Sequence, residues 1–495
     1  MNRQIRRLGV ALLALYFVLF VQLNWLQIVK AEDYNRNPAN NREVVRDFTR
    51  DRGVIVAADG VVVAESIDSN DRYRRQRVYP LGPLMAQVTG SFSFSFGTDG
   101  VERIYNDELA GQTDAQKLSG LADLFDDQVN VGDVMLTVRT DVQAVAQAAL
   151  ADRRGSVVAL DPRTGAVLAM YSNPTYDPNQ LASHDLDAVK AAREFMIADP
   201  ANPLLTRAYQ ERYFPGSTYK VVTAAAGLES GLVTTENPSY PVTDSYTPPL
   251  TTRPIRNFNG GTCGGLLIEI IQRSCNTAFA QMGVDLGPQI MVERAEAFGF
   301  NDAPPIDLPR PAESFYPPVE AFNQDTPKLA QTAFGQNDVQ ATPLQMAMVA
   351  AAVANDGVIM TPHVMSQIND RSGGVLRRYE PSVWRTPLSP ANAAILQEGM
   401  VAVVNGGTGT NAAIDGVQVA AKTGTAQLGD NPPTVHNWMI AYVPADNPRV
   451  AVAVLVERQP EEDEFTGGVI AAPIARQIIE AVLAAPDPLA PTAGG

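Results

Sequence analysis

Histidine is scarce in this chain: His184, His363 and His436 are the only three, and none stands close in sequence to a candidate nucleophile. Triads assemble in space, so a histidine-based one stays open, but no stretch of sequence advertises it. Cysteine is scarcer still, with Cys263 and Cys275 alone. Cys and His so few and so spaced cannot build a zinc site, and no cofactor motif is found; the H-E-x-x-H pattern of metalloproteases is missing as well. Positive charge is outnumbered, 38 basic against 54 acidic residues, for a net charge of −16. That balance argues against nucleic acid or an anionic membrane surface as partner. Lysine is rare within the basic set: six against thirty-two arginines. Internal repeats and low-complexity runs are not apparent.

What is present reads as globular, with 45% hydrophobic and 19% charged residues over 495 positions, enough for two or three domains with their own cores. Arg3, Arg6 and Arg7 precede an apolar run from Leu8 to Val29. A run of this length spans a bilayer core, and the arginines before it would keep residues 1–7 in the cytoplasm. A cleaved signal peptide is the rival, since Leu8–Val21 has the length of an apolar core and Val29-Lys30-Ala31 is a passable cleavage site. The uncleaved anchor, residues 8–29, is favoured, and either reading exports the remainder. Outside the cytoplasm two cysteines permit one disulfide, Cys263 to Cys275, or two thiols held apart by geometry.

Three short motifs carry the chemistry: Ser217-Thr218-Tyr219-Lys220, Ser274-Cys275-Asn276 and Lys422-Thr423-Gly424-Thr425. A serine hydroxyl needs a neighbouring base to become a nucleophile. A lysine three residues on supplies one, a helical turn away. Lysine can surrender its proton when desolvated, whereas arginine effectively cannot, and two of the six lysines fall in these motifs. S-x-x-K or S-x-N alone is expected by chance about once in a chain this long; the three in this order are not.

Around the motifs, Arg52 to Ala64 reads as two short strands about the Asp59-Gly60 turn, and the stretch to Gly132 as an irregular, β-rich module. From Val134 the texture changes. Thr140 or Asp141 is placed to cap a helix through Val142–Leu150, and Ser156–Leu160 and Ala166–Tyr171 flank a hairpin turn at Asp161–Gly165. Pro215 and Gly216 break the chain before Ser217, and Lys220–Leu228 is apolar enough for a buried helix, so Ser217 is expected at a helix start with its N–H among the unpaired donors. Leu266–Gln272 and a second helix from Thr277 leave Ser274–Asn276 at their joint. Gln418–Gln427, Asn437–Tyr442 and Arg449–Glu457 read as successive strands, Ile474–Leu483 as a closing helix, Glu461–Glu464 as a solvated acidic loop, and 486–495 as a disordered tail.

The motif set S-x-x-K, S-x-N, K-T-G is that of serine penicillin-recognising enzymes, and the chain resembles the class B penicillin-binding proteins, in particular the penicillin-binding protein A type of actinobacteria. The likeness extends to Arg52-Gly53…Asp59-Gly60, Tyr79-Pro80-Leu81-Gly82, Gly100-Val101-Glu102, Ala333-Phe334-Gly335-Gln336 and Thr342-Pro343-Leu344-Gln345. It implies an α+β transpeptidase fold, an antiparallel sheet flanked by helices beside an all-helical lobe, spanning 134–485 on an N-terminal pedestal of 30–133. It also implies roles. Ser217 would attack the carbonyl between the last two D-alanines of a peptidoglycan stem peptide, with Lys220 as general base. Ser274 would relay a proton to the leaving amine and Asn276 would orient Lys220 and the substrate amide. Lys422, as a fixed cation, with Thr423 and Thr425 would bind the terminal carboxylate, Gly424 lying between them. The N–H groups of Ser217 and Thr425 would form the oxyanion hole. β-Lactams would acylate the same serine, and a membrane-embedded glycosyltransferase is the implied partner. Cys275 replaces the Asp of the motif as usually written.

Three rivals share these residues. A β-lactamase needs a deacylating glutamate, and Glu313 stands at a plausible distance but without a nearby Asn. A D,D-carboxypeptidase differs only in using water as acceptor. A β-lactam sensor or division scaffold would be non-enzymatic, and a pure scaffold has no need of three intact motifs.

Overall fold

The computed structural model describes residues 2–30, 48–116, 130–429, 434–458 and 466–487; the acidic run 461–464 and the tail from 488 lie outside them. At the N-terminus, helix α1 (Asn2–Asn24) continues through a wider turn at Trp25–Val29. Its segment Arg3–Asn24 is long and apolar enough to cross a membrane, and none of it packs against the rest of the chain.

A six-stranded sheet comes first. Its strands are β1 (Ile55–Val56), β2 (Val62–Asp68), β3 (Arg75–Val78) and β4 (Asp133–Leu136), joined by β7 (Met365–Asn369) and β8 (Val375–Arg378) from far along the chain. The order is β8-β7-β4-β1-β2-β3; only β1 and β4 run parallel. The Asp59-Gly60 turn between β1 and β2 is as expected, with Gly60 at φ 81. After Val78 the module departs from a β-rich reading. Short helical turns at Ala86–Thr89, Gly100–Ile104 and Asn106–Leu109 outweigh two strands of two residues each. They are too short to show a helical period in the sequence.

The core of this module is ionic as well as apolar. Glu102 is fully buried and its carboxylate accepts from Arg52 Nε and Arg77 Nε, each at 2.6 Å, and from the Tyr79 hydroxyl at 3.2 Å. Tyr79 in turn accepts the Phe92 N–H at 2.7 Å. Burial raises the Glu102 pKa, but Arg77 and Arg52 more than offset it and hold the group below its ordinary value.

The second sheet has five antiparallel strands in the order β9-β10-β11-β5-β6: β5 (Gly155–Leu160), β6 (Val167–Asn173), β9 (Ala420–Gln427), β10 (Val435–Val443) and β11 (Val450–Val456). Both faces are covered, so β11 is apolar throughout, whereas β9 carries Lys422, Thr423, Thr425 and Gln427 among its apolar residues. Trp438, Ile440 and Tyr442 enter one core, and Met439, Ala441 and Val443 the other. Helices α2 (Thr140–Leu150) and α8 (Gly467–Leu483) fill the second. Neither expected cap of α2 forms: Arg139 takes the cap position without a side-chain bond, because Thr140 Oγ1 goes to Asp59 at 2.5 Å and Asp141 to Arg139.

On the other face lie α3 (Lys220–Glu229), α4 (Leu267–Gln272), α5 (Asn276–Ala297), α6 (Pro343–Ala354) and α7 (Pro390–Gly406). Helix α6 shows why Thr342-Pro343-Leu344-Gln345 recurs as a unit. Thr342 Oγ1 caps the Gln345 N–H at 3.1 Å, Pro343 opens the first turn, and Leu344 to Val353 are buried throughout. The chain end is anchored as far as Asp487, which pairs with Arg163 at 2.8 Å.

Removing the charge of Glu102 leaves two buried guanidinium groups unpaired, a loss of roughly 3–5 kcal/mol for a broken buried pair. Glu102→Gln should therefore lower the thermal midpoint by several degrees. Because the folded pKa is depressed, the carboxylate's contribution is whole above the unfolded value of 4.5 and is lost as pH falls through the lower folded value. Melting curves of parent and variant should accordingly converge in acid.

Candidate active site

Ser217 lies in a single 3-10 turn, Gly216–Tyr219, that feeds directly into α3. It is only partly buried, while Gly216 and Thr218 to Lys220 around it are buried. The turn is pinned from several sides. Thr218 Oγ1 donates to Pro215 O at 2.7 Å, Trp438 Nε1 to Phe214 O at 2.9 Å, and Gly216 N to Gly335 O at 2.9 Å. Two glycines let the neighbouring backbones come this close. A Cβ on Gly335, which has φ 73, would stand 2.2 Å from Gly216 O. On Gly424 it would stand 2.9 Å from Pro215 O and 3.0 Å from Thr218 Cγ2. The glycine of Lys-Thr-Gly is thus the contact between the edge strand β9 and the turn that carries Ser217.

Ser274-Cys275-Asn276 forms the joint between α4 and α5. Ser274 has φ 58, a left-handed conformation unusual for a residue with a side chain; such strain persists where its surroundings enforce it. Here a bond between the sulfurs of Cys263 and Cys275, whose Cα atoms are 5.4 Å apart, ties the joint to the preceding loop. Asn257 Oδ1 accepts the Thr277 N–H at 3.0 Å, and Asn276 Nδ2 donates to Arg256 O at 3.1 Å.

The three motifs converge on the Ser274 hydroxyl. Lys220 Nζ is 3.1 Å from Ser274 Oγ, 2.8 Å from Ser274 O and 2.7 Å from Asn276 Oδ1. Lys422 Nζ is 2.8 Å from the same Oγ and 3.0 Å from Thr423 O. Both lysines have no exposed surface. Burial, and then the charge of Lys422, push Lys220 well below its ordinary pKa; burial lowers Lys422 to about 7. Lys422 is thus no permanently fixed cation, a difference from the sequence expectation that follows from its burial on the inner face of β9.

Along the edge of β9, alternate residues point their backbone groups outward. The Gln336 side-chain amide meets Gln427 N–H and C=O at 3.2 Å each, so Thr423 and Thr425, in the same phase, face the same side. The Thr423 hydroxyl is 2.6 Å from that of Thr408, and Thr425 Oγ1 accepts Gly467 N–H at 3.3 Å. A cavity of about 730 Å³ opens beside these groups; Ser217, Ser274, Asn276, Thr423 and Thr425 line it. Sequence reasoning missed Thr408, Arg256 and Arg273, which also line it and belong to no motif. Gln336, another lining residue, was noticed only as part of a resembling segment. Glu313 is exposed and is not among the lining residues.

Comparison with known proteins agrees with this geometry. Residues 155–480 match the family described as penicillin binding protein transpeptidase domain, and residues 52–134 match the penicillin binding protein A dimerisation domain. The chain belongs to the penicillin-binding protein transpeptidases. It is 39% identical to the peptidoglycan D,D-transpeptidase PbpA of Mycolicibacterium smegmatis over 98% of this chain and 99% of that one. Its counterpart in Mycobacterium tuberculosis is 38% identical over the same shares. Among solved structures, the ceftriaxone acyl-enzyme complex of penicillin-binding protein A from M. tuberculosis superposes with a TM-score of 0.83 and 36% identity, covering 89% of this chain and all of the other. A second crystal structure of PBPA from M. tuberculosis gives a TM-score of 0.81 at 37% identity, over 88% of this chain and all of the other.

The two lysine values set a pH profile. With Lys220 as the base and Lys422 as the cation for the carboxylate, the second-order rate constant with a β-lactam should rise through the lowered pKa of Lys220. It should then fall as free Lys422 deprotonates near about 7. Lys422→Arg keeps the cation at all pH values and should abolish the alkaline fall, on a lower plateau. Rate constants measured from pH 5 to 10 test both limbs; an alkaline limb unchanged in the variant would contradict the assignment.

Proposed function

We propose that this chain cross-links peptidoglycan as a D,D-transpeptidase, with Ser217 as its nucleophile. The observation that carries the residue assignment is the shared Ser274 hydroxyl, reached by two buried lysines from two different motifs at the wall of the cavity that holds Ser217. Neutral Lys220 takes the Ser217 proton as Oγ attacks the carbonyl between the terminal D-alanines. Ser274 passes a proton on to the departing amine, and Asn276 holds Lys220 and the substrate amide. Charged Lys422, with the Thr423 and Thr425 hydroxyls, binds the terminal carboxylate. The backbone N–H groups of Ser217 and Thr425 stabilise the oxyanion, an arrangement typically worth about 2.7–4 kcal/mol per donor. An amine of a second stem peptide then attacks the acyl carbonyl, releases Ser217 and leaves the cross-link. Gly424 contributes closeness, not a polar group.

The organisation proposed with this activity keeps residues 1–7 inside the cell, 8–29 in the membrane, 30–133 as a pedestal and 134–485 as the catalytic domain outside. Arg3, Arg6 and Arg7 before the apolar helix support that orientation. A membrane-embedded glycosyltransferase is the proposed partner, because the roughly hundred residues between anchor and catalytic domain are few for a second catalytic domain. The exposed position of Glu313, away from the cavity lining, disfavours a β-lactamase.

Two variants test the assignment. Ser217→Ala should lose the covalent β-lactam adduct entirely, as read by intact mass and peptide mapping; full labelling would move the nucleophile elsewhere. Lys220→Arg fixes a charge where a neutral amine is needed and should slow acylation by at least about a thousandfold, within the 10²–10⁴ range of general base catalysis. Near-parent acylation by a folded Lys220→Arg protein would refute the base.

A further inference from the structure

On a chain of net charge −16, no acidic residue lines the active-site cavity among the described residues; the two charged residues that line it are Arg256 and Arg273. Both are fastened to the active site through main-chain bonds. The Arg256 carbonyl accepts from Asn276 Nδ2 at 3.1 Å, and Arg273 precedes Ser274 directly while its Nη2 donates to the Thr262 carbonyl at 2.6 Å across the disulfide-closed loop. Their charges are largely uncommitted. Arg256 is 3.8 Å from Asp244, with 61% and 50% of the two side chains exposed, a pairing too open to neutralise it. Among the described residues no carboxylate lies within 4.0 Å of Arg273. The groups proposed to hold the terminal carboxylate, Lys422, Thr423 and Thr425, are on strand β9, whereas the arginines belong to the segment before Ser274. A donor whose only anion is its terminus brings neither guanidinium a carboxylate.

We propose that Arg256 and Arg273 form an anion subsite that receives a second free carboxylate of the donor peptide, upstream of the bond that is cleaved. This rests on the transpeptidase reading and narrows its substrate to stem peptides carrying such a carboxylate, in preference to those in which it is amidated. A guanidinium offers two parallel N–H donors to a carboxylate and gains far less from a carboxamide.

The test uses the full chain in detergent with two synthetic donors ending in D-Ala-D-Ala, identical except that the upstream carboxylate is free or amidated, and one small amine acceptor without a carboxylate. The parent should acylate from the free-carboxylate donor about five- to tenfold faster in kcat/KM, an advantage that shrinks at high salt. Arg256→Gln/Arg273→Gln should bring the ratio to about one. Arg273→Lys, which keeps a cation while the bond to Thr262 is altered, should retain a preference. A parent that processes both donors equally, or a folded double variant that keeps the full preference, overturns the subsite. So does a preference that appears only when the carboxylate is on the acceptor. If neither donor acylates Ser217, the transpeptidase reading itself fails and the subsite falls with it.

Discussion

Two buried lysine amines converge on one serine hydroxyl at the cavity wall, and that crowding organises the site. Lys220 and Lys422 are each fully buried and each within hydrogen-bond reach of Ser274 Oγ. Desolvation penalises both charges, and their mutual repulsion penalises the second one most. Both are therefore pushed toward the neutral form, the one that also feels its neighbour's charge well below its ordinary pKa. That is Lys220, one turn along the helix from Ser217. Burial and a neighbour of like charge lower the pKa of this lysine without any histidine. Asn276 and Ser274 O supply the polar contacts that let Lys220 sit there at all.

The rest of the domain serves to bring three distant segments to that hydroxyl. Strand β9 is held against the Ser217 turn by the closeness Gly424 allows, and the same turn is held from behind by Gly335. The left-handed backbone at Ser274 turns its side chain to both lysines, and the Cys263–Cys275 bond and Asn257 hold the chain in that form. None of these contacts is chemical in the catalytic sense. Each fixes a distance in a site where a misplacement of about 1 Å can cost roughly a hundredfold in rate.

Much of this architecture was legible beforehand, and for identifiable reasons. The strands around Lys422, His436 and Val452 are largely buried on both faces, so apolar residues dominate the last two, and the boundaries of all three fall within two residues of those read from the sequence. Helix α3 was visible as an alanine- and valine-rich run broken open by Pro215 and Gly216. The motif residues were visible because few lysines compete for attention. Other features could not be read. The positive φ of Ser274 leaves no mark on a residue type that seldom adopts it. Arg52, Tyr79 and Glu102 were noticed as separate segments, yet their meeting in one buried ion cluster depends on contacts across up to fifty positions. The burial of Lys422, and with it the loss of a permanent charge, follows from packing above and below the strand.

The six-stranded sheet carries a consequence for how the chain is made. Strand β4 is the seam: its one neighbour, β1, is already available when it emerges, but the other, β7, follows only at Met365–Asn369. Synthesis at roughly 5–20 residues per second puts about 10–50 s between the two. Throughout that interval the N-terminal module presents an unpaired strand edge, a surface open to association with other chains. The pedestal is thus closed by its own passenger, and its completion reports that most of the catalytic domain has already been delivered.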